Sequence, residues 1–90
     1  MVKRDLTEDQ IKADILNRLV NSNAFGAYHI PSDQMRSFIQ NKIKRDGKTV
    51  SNCINELARQ GLIIKTARNT IYADHARLDE IYVYIDKNLV

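Results

Sequence analysis

Between Asp46 and Ile63 the chain reads DGKTVSNCINELARQGLI. Val50, Cys53, Ile54 and Leu57 recur at the spacing of one helix face, and Ala58 beside them permits close packing. Gly61 stands where a helix ends in a left-handed residue, directly before Leu62 and Ile63. The stretch therefore predicts an amphipathic helix that packs by one face, stops at a glycine and passes into extended chain. Its other face is unusual. A plain surface helix carries Glu and Lys there, whereas this one lines up Thr49, Ser51, Asn52 and Asn55. Small neutral hydrogen-bonding groups suit a face that touches something.

The same periodicity organises the remainder. Thr7 and Gln10 form a capping-box pattern with Glu8 and Asp9 in the first turn, and Ile11, Ile15, Leu16, Leu19 and Val20 continue it as a helix to about Asn21 to Asn23. FGAYHI, from Phe25 to Ile30, turns at Gly26 and alternates into a short strand through Tyr28 and Ile30; Pro31 cannot donate to a ladder. Ser32 is the expected N-cap of a second helix with Met35, Phe38, Ile39 and Ile43 inward. Asn41 to Arg45 reads as a turn, and Asp46 as the cap of the third helix. Leu62–Thr66 and Thr70–Ala73 pair as a hairpin around Ala67, Arg68 and Asn69. Asp74 caps a last helix over Leu78, Ile81, Ile85 and Leu89; Glu80 to Asp86 also fits a strand, but the helical register runs longer than a strand usually does.

Ninety residues make one domain, a core over residues 7–73 and a terminal helix over 74–90. No apolar run is long enough to span a membrane and no signal pattern opens the chain, so the expected location is the cytoplasm. The one cysteine, Cys53, cannot staple its own chain, and its helical register makes it a small buried residue rather than a redox switch. His29 and His75 lack metal-ligand spacing with it. No nucleophile–base pairing or glycine-rich phosphate loop is legible, so neither enzyme activity, a metal, a cofactor nor a small-molecule ligand is expected. The net charge of +3 is uneven: Lys42 to Asn69 holds seven Lys and Arg against two acids, a balance of +5, leaving −2 elsewhere. Charge so concentrated points to a polyanion.

The order helix, short strand, helix, turn, helix, hairpin, helix, with Thr49-Val50-Ser51, Leu57 and Gly61-Leu62-Ile63 at their places, resembles the winged helix-turn-helix family. The resemblance covers about Thr7 to Ala73; the turn from Asn41 to Asp46 is longer and more basic than usual. It implies a mainly α fold with a small antiparallel sheet (α+β), an additional C-terminal helix, and sequence-specific binding of double-stranded DNA by a transcriptional regulator, a repressor. The third helix would lie in the major groove with Lys48, Thr49, Ser51, Asn52, Asn55 and Arg59 outward. Asn52 and Asn55 are the base readers, since Asn bonds adenine at two points. Thr49 and Ser51, with Lys44, Arg45 and the helix N-terminus, would meet phosphates, and Arg59 the backbone. In the wing, Lys65, Arg68 and Asn69 would lie along phosphates or enter the minor groove. Apolar residues in excess of one stripe on the last helix suggest a homodimer through Leu78, Tyr82, Ile85 and Leu89. The alternatives are a winged-helix protein-docking module, for which an acidic or apolar face is expected, and a non-specific DNA-binding accessory protein.

Overall fold

Thr7 opens the first helix through the capping box. The Gln10 amide donates to Thr7 Oγ1 at 3.2 Å and the Thr7 amide donates to Gln10 Oε1 at 2.9 Å. The computed structural model describes residues 5–43 and 47–89. Within them the chain runs α1 (Glu8–Asn21), β1 (Ile30–Pro31), α2 (Ser32–Gln40), α3 (Gly47–Gln60), β2 (Ile63–Lys65), β3 (Thr70–Ala73), a short 3-10 turn (His75–Arg77) and α4 (Leu78–Asn88). This is an α+β fold: helices packed with an antiparallel sheet in the order β1-β3-β2. Among the described residues no helix is long and apolar enough to cross a membrane.

Helices α1 and α3 end by the same device. After α1, Asn23 takes a left-handed φ of 57°; its amide donates to Val20 O at 3.1 Å and the Ala24 amide donates to Leu19 O at 2.9 Å. After α3, Gly61 has φ 82°; its amide donates to Ala58 O at 3.1 Å and the Leu62 amide donates to Leu57 O at 3.2 Å. Each is a Schellman closure, with a buried apolar pair, Leu19 with Ala24 and Leu57 with Leu62, across the turn. Glycine at position 61 matches the expectation from sequence; asparagine fills the same role at 23 because it tolerates the left-handed region.

The first strand differs from its expected place. It comprises Ile30 and Pro31, not Tyr28 to Ile30, and Tyr28 and His29 are exposed ahead of it. Proline is accommodated because β1 is an edge strand and the pairing is Pro31↔Thr70. The Ser32 amide donates to Asn69 O at 2.9 Å. Bonded and non-bonded pairs alternate along an antiparallel ladder, so Pro31 falls where no N–H is required. Ser32 is also not the cap of α2. It is the helix's first residue, Pro31 holds the cap position, and no side chain caps this end. The Ser32 amide is committed to the sheet, which starts the helix directly from the strand.

The hairpin is a three-residue loop. The Asn69 amide donates to Thr66 O at 3.1 Å, the Thr66 amide donates to Thr70 O at 2.9 Å, and Asn69 has φ 62°. A turn through Ala67 and Arg68 closed by a left-handed residue is a favoured hairpin geometry. It ends β2 at Lys65 rather than Thr66.

Asp74 caps the 3-10 turn, accepting from the Ala76 amide at 3.1 Å, and α4 follows one turn later than expected. The helical alternative for residues 80–86 is the one adopted. Ile81 and Ile85 are buried while Val83, which a strand would place on their face, is 66% exposed. Tyr84 joins α4 to α1 by donating to Asp9 Oδ1 at 2.9 Å. Burial, with the Asp9 carboxylate accepting its hydrogen bond, holds this hydroxyl well above the usual tyrosine range. Helices α1 and α2 are tied through Phe38, whose ring lies 3.1 Å from the Arg18 guanidinium and 4.6 Å from Lys42 Nζ; Lys42 also pairs with Asp14 at 2.9 Å. The apolar faces of all four helices and the sheet meet in a continuous core that includes Ile11, Leu16, Met35, Ile39, Leu57 and Ile71.

Candidate functional site

Core burial orients α3. Val50, Cys53, Ile54 and Leu57 are inside, with the Cys53 thiol 3.8 Å from Glu8 O. The opposite face carries Lys48, Asn52, Asn55 and Arg59, all exposed and spaced i, i+4, i+7, i+11. That spacing forms one stripe about 16 Å long on an α-helix. Thr49 and Ser51 flank it, each half-buried. Glu56, also half-buried, is the one acid on α3 and is ion-paired with Arg59. The stripe is thus neutral to basic and rich in donors.

The hairpin stands against this stripe. Lys65 Nζ on β2 donates to Asn55 Oδ1 at 3.2 Å, joining the strand to the middle of α3. Lysine has only donors, so this contact orients the Asn55 amide with Oδ1 toward Lys65 and leaves Nδ2 to donate elsewhere. Arg68 and Asn69 are exposed at the loop. Asn69 owes its identity partly to the backbone, since its left-handed φ suits asparagine. The structure therefore brings Lys48, Asn52, Asn55, Arg59 and Lys65 together, with Arg68 and Asn69 at the adjoining tip. Lys44 and Arg45, and the expected Asp46 cap, lie outside the described residues.

A cavity of about 170 Å³ opens where α2, α3 and the hairpin meet, with Ser51, Asn55, Lys65 and Asn69 joined by Ser32 and Arg36 from the start of α2. Sequence reasoning missed these last two. The signal available was their i, i+4 spacing, which puts them on one face, but nothing local shows that this face turns toward α3.

The apolar residues of α4 divide. Of the two places open to Ile85 on the last helix, core or pairing face, it takes a place in the chain's own core at 9% exposure, and Leu78 is half-buried. The reason is the helical register: Ile85 is one turn beyond Ile81, on the side facing α1. Tyr82 and Leu89 remain exposed, at 50% and 38%, with Val83 beside them. A second cavity, about 550 Å³, lies between α4 and the start of α1, with Asp9, Val83, Tyr84 and Lys87 in its walls. Among the described residues no three His, Cys, Asp or Glu side chains gather as metal ligands. Comparison with protein families, with characterised proteins and with solved structures finds nothing that matches this chain.

Proposed function

We propose that this chain is a winged-helix protein that binds double-stranded DNA sequence-specifically and acts as a transcriptional regulator. Helix α3 enters the major groove and the β2–β3 hairpin, as the wing, meets the backbone or minor groove. The observation that carries this is the exposed stripe Lys48, Asn52, Asn55 and Arg59 with Lys65 locked beside its centre. The element order supports the fold assignment, since a helix pair followed by a hairpin is what places such a wing next to a recognition helix. Asn52 and Asn55 read base edges; Lys48, Lys65 and Arg68 hold phosphates. Tyr82 and Val83 on α4, with Leu89 just past its end, support pairing of two copies, which would present two α3 helices to an inverted repeat.

A protein-docking role would favour an acidic or apolar face, and this one is neither. Salt separates the two. Duplex affinity followed by fluorescence anisotropy is expected to fall linearly on a log–log plot as salt rises, with a slope of about −0.9 for each phosphate neutralised. An affinity indifferent to salt, or no binding at low salt, would count against the DNA reading and favour docking.

A further inference from the structure

The geometry points to a binding site for a tetrahedral oxyanion, a phosphoryl group, in the cavity between the N-terminus of α2, the middle of α3 and the hairpin. Three independent features converge there. Ser32 lines the cavity at 7% exposure, and its Oγ has no hydrogen-bond partner among the described residues. A buried hydroxyl left so is costly and in native folds is normally satisfied. Second, the nine-residue α2 begins at this cavity with no side-chain cap, and the oxygen that meets its first amide is the Asn69 carbonyl of the hairpin. Third, the remaining walls supply donors: the Ser51 hydroxyl, the Lys65 ammonium and the Arg36 guanidinium. Ile54, almost fully buried, contributes the apolar part of the wall.

One wall residue opposes an anion. Asp33 lies in the first turn of α2, lines the same cavity and pairs with Arg36 at 3.4 Å. It is a largely exposed carboxylate, and an arriving phosphoryl group competes with it for Arg36 and for the helix end. This predicts that removing its charge strengthens the site.

The phosphoryl group has two possible sources, the backbone of a nucleic acid or a free phosphate. The first source rests on the DNA reading above; the second does not. The test is an amide NMR titration of the full chain with inorganic phosphate, ionic strength held with chloride. Saturable shifts confined to the amides of Ser32, Asp33, Gln34, Ser51 and Asn69 are expected. Ser32→Ala and Lys65→Ala should each weaken binding about tenfold, as loss of a bond to a charged group does. Asp33→Asn should tighten it roughly twofold to fivefold. Lys65 is exposed, so its variant keeps the test valid should Ser32→Ala disturb the fold. A duplex arm then assigns the source. Displacement of bound duplex by phosphate, beyond that by chloride of equal ionic strength, places a backbone phosphate in the cavity. Undisturbed duplex binding, or no duplex binding, with phosphate bound assigns a free phosphate. Non-saturable or surface-wide shifts, or equal affinity in the folded variants, overturn the inference, and leave the DNA reading standing if duplex binding persists.

Discussion

Leu57→Ala is expected to lower the unfolding free energy by roughly 2–5 kcal/mol, the range for truncating a buried leucine. Leu57 is fully buried on α3 and packs where the helix closes onto Leu62, so its loss opens a cavity between α3 and the start of the hairpin. A domain of this size holds about 5–15 kcal/mol in total. The loss is therefore a large fraction, and Tm should fall by at least about 8 °C. Urea unfolding with an unchanged m-value checks it. Asn52→Ala, on the exposed side of the same helix, is the matched comparison and should stay within about 0.5 kcal/mol of the parent. Equal losses at the two positions would show that α3 is not oriented as described.

The second large effect is on binding. Asn52→Ala and Asn55→Ala should each cost about 1–3 kcal/mol against the preferred duplex, a loss of roughly 5- to 150-fold, with little change on unrelated duplex. The two should differ in one respect. Asn55 also accepts from Lys65, so its removal frees that lysine and should alter the salt slope as well. Asn52 has no such link among the described residues and should change preference alone. Competition binding with preferred and scrambled duplexes across salt separates the two effects. Uniform weakening on every duplex by Asn52→Ala would make it a backbone contact.

What the sequence makes legible here is local. The capping box at Thr7 and Gln10 and the left-handed Gly61 are set by neighbouring residues, and both stand as expected. The outward set on α3 follows from the inward one, because helix geometry leaves no other place for Lys48, Asn52 and Asn55. Tertiary commitments are not legible in the same way. Ser32 reads as a cap until its amide is seen bonded to Asn69, far along the chain. Pro31 reads as outside the sheet until the alternation of an edge ladder gives it a position that needs no N–H. Ile85 reads equally as core or as pairing surface, and only the seating of α4 on α1 places it inside. The contact between Lys65 and Asn55 is of this kind too. It links residues ten apart through the turn at Gly61, and it converts two separately chosen candidates into one surface.

Whether that surface reads a DNA sequence decides the proposed function. The most direct measurement is selection from a randomised duplex library over several rounds at near-physiological salt, followed by sequencing. An enriched motif is expected, with adenine-containing positions lost in Asn52→Ala or Asn55→Ala selections, and with inverted half-sites about one helical turn apart if two copies pair. Binding without any enriched motif would reduce the role to a non-specific accessory, and absence of binding at any salt would overturn the DNA reading.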